Sequence, residues 1–202
     1  MAKISTLLLV YSFFVLGFSF TCAIAKGPEK SWHEAFCQGK ETTTKLHFYL
    51  QDVLGGPNAT VWEVAKSPIS NSVTSFGQIR VLDDLITRTP NPNSKKLGRA
   101  QGLITFSDLD VSVLNMNLNF VFTAGSYNGS TLTILGRNQI MNVDRELPVV
   151  GGTGIFRMAR GYAISNTYSY NVSTNYGILE YTVYVVHTDV SKVKNIQMVM
   201  DT

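Results

Sequence analysis

In Lys45-Leu46-His47-Phe48-Tyr49-Leu50-Gln51-Asp52 the side chains alternate in character. Leu46, Phe48 and Leu50 fall on one side of an extended chain, and Lys45, His47, Tyr49 and Gln51 on the other. In a helix, residues two apart lie on nearly opposite faces, so the same letters would form no apolar stripe. The stretch is a strand with one apolar face. Further β-rich runs follow at Gln78 to Leu82, Leu103 to Phe106, Leu118 to Ala124, Thr131 to Leu135, Gly161 to Tyr170 and Leu179 to His187, with Gly, Asn, Pro and Asp between them. Seven or eight short strands without an amphipathic helix point to an antiparallel barrel or sandwich. The longest irregular stretch, Leu85 to Lys96, reads as a surface loop, and Gly151-Gly152-Thr153-Gly154 as a tight turn, since no Lys-Ser/Thr follows to make a phosphate loop.

The whole chain of 202 residues is 45% hydrophobic, which excludes a disordered protein. Its 17 Lys+Arg against 14 Asp+Glu give a formal charge of +3, too weak a field to favour nucleic acid or anionic membranes as partners. Lys3, the apolar run Leu7 to Phe20 and Ala23-Ile24-Ala25 have the form of a secretory signal cleaved after Ala25. The expected division is therefore a signal peptide at 1–25, an N-terminal segment at 26–44, one barrel domain at 45–189 and a tail at 190–202. Cleavage removes Cys22, so Cys37 remains as a single thiol that cannot close an intrachain disulfide. Asn58-Ala-Thr60, Asn128-Gly-Ser130 and Asn171-Val-Ser173 are N-glycosylation acceptors, expected on surface turns.

Neither the three histidines, His33, His47 and His187, nor the cysteines have a metal-ligand spacing, so no metal or other cofactor is expected. Carboxyl groups are more informative. By strand parity Asp52 shares the face of Leu46, Phe48 and Leu50. If that face lines a cavity, desolvation would raise its pKa and let it hold a proton near neutrality. If instead Asp52 ends the strand before Gly55-Gly56-Pro57, it accepts turn amides. Asp83-Asp84 reads as turn hydrogen bonding. Asp144-Arg145-Glu146 is either a surface ion triplet or a place where Arg145 orients a carboxylate or binds a phenol oxygen.

Six co-linear blocks resemble the plant dirigent family: Leu46-His47-Phe48-Tyr49-Leu50-Gln51-Asp52; Phe76-Gly77-x-Ile79-x-Val81-x-Asp83-Asp84; Gly98-Arg99-Ala100-Gln101-Gly102; Tyr127-Asn128-Gly129-Ser130-Thr131-Leu132; Arg145 to Gly154; and Ala159-Arg160-Gly161-Tyr162-Ala163. The resemblance implies an all-β, eight-stranded antiparallel β-barrel, commonly trimeric and secreted to the apoplast. It also implies a function: imparting stereoselectivity on the coupling of phenoxy radicals, typically from coniferyl alcohol, to optically active lignans. A separate oxidase, laccase or peroxidase, supplies the radicals. Position by position, Asp52 matches the family's pocket aspartate and Arg145 its pocket arginine, with Phe48, Leu50, Ile104, Phe106 and Asn138 expected to line the pocket.

Departures from the pinoresinol-forming branch are specific. That branch has tyrosines where this chain has Ile104 and Phe106, an aspartate at the place of Asn138, and usually a disulfide. Leu135-Gly136-Arg137-Asn138 looks instead like the broader group that includes pterocarpan synthases, which dehydrate isoflavanols through quinone methides. Two alternatives to the directing role therefore stand: a hydro-lyase of that type, and a wall protein that binds phenolic polymer or glycan. The implied ligands are phenolic radicals or quinone methides, and the implied assembly is a homo-oligomer, trimer or dimer.

Overall fold

The computed structural model describes residues 40–68 and 73–189. The expected signal peptide at 1–25, Cys37 and the tail from 190 lie outside the described residues. Among the described residues there are nine strands: β1 (Lys40–Val53), β2 (Val61–Ala65), β3 (Ile79–Thr87), β4 (Lys96–Phe106), β5 (Val113–Phe122), β6 (Thr131–Gln139), β7 (Arg145–Thr153), β8 (Arg160–Asn171) and β9 (Tyr176–Asp189). They follow one antiparallel order, β1-β9-β8-β7-β6-β5-β4-β3-β2, and β1 also pairs with β3. That last pairing, Tyr49 with Thr87, Leu50 with Ile86 and Gln51 with Leu85, closes eight strands into a barrel and leaves β2 as a flap on β3. The eight-stranded barrel of the sequence reading is what the chain forms.

Alternation decides what fills it. Leu46, Phe48 and Leu50 of β1, Met116, Leu118 and Phe120 of β5, and Tyr181, Val183 and Val185 of β9 all point inward and are buried. The filling is uneven along the axis. One end is packed with aromatic rings: Phe48 lies edge-on to Phe120 at 5.1 Å and stacks on Tyr181 at 6.0 Å, and Phe122 meets Phe156 at 5.7 Å. Toward the other end, where β1, β4, β6 and β8 run out, the rings give way to smaller side chains and polar groups, and a cavity opens. Phe48→Ala would leave a ring-sized void at the junction, and about 3–5 kcal/mol of stability should be lost. A lower urea midpoint at unchanged slope would register it, and a shift equivalent to under about 1 kcal/mol would contradict this packing.

Two local expectations need correction. Leu85 to Lys96 is not wholly loop, because Leu85–Thr87 continue β3 and Lys96 begins β4. Gly151-Gly152-Thr153 is not a turn but the end of β7, followed by a short 3-10 turn at Gly154–Phe156. A Cβ on Gly152 would sit 2.4 Å from the Thr131 carbonyl oxygen, so glycine marks close approach of strands there. β7 escapes sequence recognition because Pro148 interrupts it. The β6–β7 pairing ends at Ile134 with Val149, so the missing N–H of Pro148 costs no bond on that side.

Candidate active site in the open half of the barrel

The cavity has a volume of about 590 Å³, within the range of small-molecule sites. Its walls are mostly apolar, with Leu50, Leu82, Ile104, Phe106, Met116 and Leu179 among them. Polar groups gather on two sides. Asp52 of β1 and Asp84 of β3 come from neighbouring strands, while Asn138 of β6 and Arg145 of β7 lie about half-way round the barrel.

Asp84 alternates inward between Leu82 and Ile86 and is only 2% exposed. Desolvation, reinforced by the neighbouring charge of Asp52, pushes its carboxyl up to about 8, against a weaker opposing effect of the hydrogen bond from Thr60. That bond, from Thr60 Oγ1 to Asp84 Oδ1, is 2.5 Å long. Asp52 is also raised by desolvation, to about 6, with Arg80 pulling the other way. Opposite Asp52 in the β1–β9 register stands Gly177, which leaves open the space beside its carboxyl group. The two carboxyls titrate as a coupled pair, and Asp84 is the one raised further above the ordinary carboxylate range. Two carboxyls with raised pKa values thus face one mostly apolar cavity from adjacent strands.

Arg145 is buried, and it faces no carboxylate. Its Nε donates to the Ser165 carbonyl at 3.2 Å, Nη1 to the Ile140 carbonyl at 2.7 Å and to Thr167 Oγ1 at 3.1 Å, and Nη2 to Ser165 Oγ at 3.3 Å. All of these acceptors are neutral, and one of the five guanidinium N–H groups is left over. Desolvation lowers its pKa, with the nearby Tyr181 acting in the opposite sense. Arginine stays charged at any physiological pH, so this wall carries an uncompensated positive charge suited to an oxygen that becomes negative. Tyr181, fully buried, forms the cavity floor, and burial raises its pKa. Ser165 offers the Tyr181 hydroxyl a side-chain hydrogen bond that favours the phenolate, but one too loose to meet ordinary hydrogen-bond geometry.

Of the residues singled out from sequence, Asp52, Arg145, Leu50, Ile104, Phe106 and Asn138 all line this one cavity. Phe48 does not: it is sealed in the aromatic end, one turn of the alternation too deep. Reading Asp83-Asp84 as a turn fails as well, since both lie in β3, where Asp83 faces out to Arg99 Nε at 2.5 Å and Asp84 faces in. Continuing the parity of Leu82 by one step would have found Asp84. Arg80, which lines the cavity with its guanidinium 5.2 Å from the Phe106 ring, had no sequence signal beyond the same parity. In Asp144-Arg145-Glu146 only the arginine is buried, and the acids point to solvent. Asn58, Asn128 and Asn171 are exposed, as acceptor asparagines must be. His47 pairs with Glu180 on the outer surface at 2.8 Å, and His187 with Thr44 at 3.0 Å, away from the cavity.

A family model described as dirigent-like protein matches residues 43–186. Dirigent protein 1 of Arabidopsis thaliana is 44% identical over 148 residues, covering 73% of this chain and 80% of its own length. Pterocarpan synthase 1 of Glycine max is 40% identical over 150 residues, covering 73% of this chain and 81% of its own. Among solved structures, a pterocarpan synthase dirigent protein superposes with a TM-score of 0.68 at 42% identity, covering 73% of this chain and 86% of that one.

Proposed function

Because the chain belongs to the dirigent family, we propose that its cavity takes a phenolic precursor of a quinone methide and closes that intermediate stereoselectively by proton transfer. The observation that carries this reading is the Asp52–Asp84 pair, two carboxyls with raised pKa values in one apolar cavity. Orienting two radicals needs shape and a few hydrogen bonds, but no acid of this kind. Expelling a hydroxyl group does. The relatives named pterocarpan synthases suggest the substrate class, an isoflavanol with a second phenolic hydroxyl.

The proposed steps balance. Asp84 protonates the benzylic hydroxyl, the C–O bond breaks and water leaves. The conjugated phenol loses its proton to Asp52 and becomes the quinone methide carbonyl. The second phenolic oxygen then attacks the same carbon and releases its proton to Asp84, while Asp52 returns its proton to the carbonyl oxygen. The sum is loss of one water and formation of one C–O bond, with both carboxyls restored. Arg145 stabilises oxygen charge during these transfers, and the apolar walls fix which face of the ring is attacked.

A second reading, the directing of radicals supplied by a laccase or peroxidase, is favoured by the cavity's volume of about 590 Å³, which leaves room for two single-ring phenols. In either case we propose that the chain is secreted to the apoplast, carries glycan on its exposed acceptors and works as a homo-oligomer. Two incubations of the purified protein separate the readings. With a 2′-hydroxyisoflavanol and no oxidant, we expect one enantiomer of the cyclic ether, formed faster than in a protein-free control. If the isoflavanol is untouched, but coniferyl alcohol plus an oxidase gives an enantiomeric excess at unchanged oxidation rate, the second reading replaces the first. Failure of both leaves a binding protein for wall phenolics.

A further inference from the structure

Two buried polar atoms in the cavity lining lack a hydrogen bond of ordinary geometry: Asn138 Oδ1 and the Tyr181 hydroxyl. Asn138 is 5% exposed and Tyr181 fully buried. Leaving such groups unpaired costs about 1–3 kcal/mol each, so they point to a ligand that supplies what is missing. Their chemistry differs. An amide oxygen can only accept, whereas a tyrosine hydroxyl can donate. A ligand hydroxyl satisfies both at once by donating its proton to the amide and accepting the tyrosine's.

The two face the same cavity from β6 and β9, with β7 and β8 between them. Tyr181 pairs in register with Ser165, and Ser165 with Arg145. The Arg145 guanidinium in turn bonds to the carbonyl of Ile140, two residues beyond Asn138 at the end of β6. We propose that Asn138 and Tyr181 form a subsite for an un-ionised hydroxyl group of an aromatic ligand, with Asn138 the residue that requires the ligand to donate. This rests on the reading of the cavity as an aromatic-ligand site, and it assigns Asn138 and Tyr181 a specificity role distinct from the proton transfers of Asp52 and Asp84.

A pair of simple probes tests this without any turnover. 2-Naphthol can donate and accept, and 2-methoxynaphthalene can only accept, so their affinities measured by fluorescence titration isolate the donated proton. The intact protein should bind the naphthol at least about 10-fold more tightly than the ether. In Asn138→Leu, which keeps the volume and loses the acceptor, the preference should fall below about 3-fold. In Tyr181→Phe both probes should weaken together and the preference should persist, because either oxygen accepts from the lost hydroxyl. Melting temperatures at or above that of the intact protein, as removal of an unpaired buried group predicts, check the fold of the variants.

A preference retained in Asn138→Leu, or absent from the intact protein, would overturn the subsite. Binding of neither probe would overturn the subsite and the aromatic-cavity reading together. If the preference behaves as described but neither isoflavanol nor coniferyl alcohol gives a chiral product, the functional reading fails and the subsite stands.

Discussion

Asp84→Asn should abolish turnover, by about 10²- to 10⁴-fold, while ligand affinity changes by less than about threefold. Asparagine keeps the shape and can still accept the hydrogen bond from Thr60 Oγ1, but it has no acid proton to give. In the intact protein the rate should follow a bell in pH, because Asp52 must be ionised and Asp84 protonated. The limbs lie near the values of about 6 and about 8 to which burial brings the two carboxyls. The same substitution should reveal a stability linkage. Asp84 is raised from 3.8 in an open chain to about 8 in the fold, so the folded state holds the extra proton between those values. Its contribution to stability is full below 3.8 and is lost as pH rises through about 8. Asp84→Asn does not titrate. It should therefore match the intact protein near pH 4 and exceed it increasingly up to pH 8. Melting curves across that range would show it. A variant that loses stability at pH 8 would mean that Asp84 is ionised and paired in the fold.

The second large effect belongs to the scaffold. Gly102→Ala should leave little folded protein, because a Cβ there would lie 2.0 Å from the carbonyl oxygen of Asn117 on the adjacent strand. Backbone cannot swing aside as a long side chain can. β4 would have to part from β5, at a cost of about 4 kcal/mol or more out of the roughly 5–15 kcal/mol that holds a domain together. Gly102 also has φ +155, a conformation that side chains disfavour. Gly98 stands in the same relation to Val121 four residues earlier on β4, so the Gly98-Arg99-Ala100-Gln101-Gly102 block encodes the close crossing of two strands. Gly151→Ala is the control: nothing lies within 4 Å of its Cβ position, and its stability should change by under about 0.5 kcal/mol. Soluble yield and melting temperature report both, and a Gly102→Ala protein melting within about 2 °C of the parent would refute the close crossing.

How far such features could be read without a structure depended on the locality of the signal. β1 announces itself because eight consecutive letters alternate, and that alternation carries Asp52 to the inside. Pairing β1 with β3 is invisible locally, since it joins Tyr49 to Thr87 with β2 between them in the chain. β7 was hidden by Pro148 and two glycines, which depress any strand signal, although in the barrel they fall where pairing ends or strands touch. Asp84 reads as a turn residue because two adjacent aspartates suggest one, whereas Asp83 faces an outer arginine and Asp84 an apolar cavity. Phe48 shows the converse limit. Parity states which face a side chain takes but not how deep along the barrel it lies, and the boundary between packed core and open cavity is set by rings from β5, β9 and the Phe156 turn.

All of the proposed chemistry turns on one proton held between two buried carboxyls. Carbon-13 NMR of side-chain carboxyls in aspartate-labelled protein, with Asp52→Asn and Asp84→Asn used to assign the resonances, observes that proton directly. The account predicts one buried carboxyl still protonated at pH 7 and titrating near 8, and its neighbour titrating near 6. Two resonances that both titrate below about 4.5, like ordinary exposed aspartates, would contradict it and remove the acid on which the proposed reaction depends.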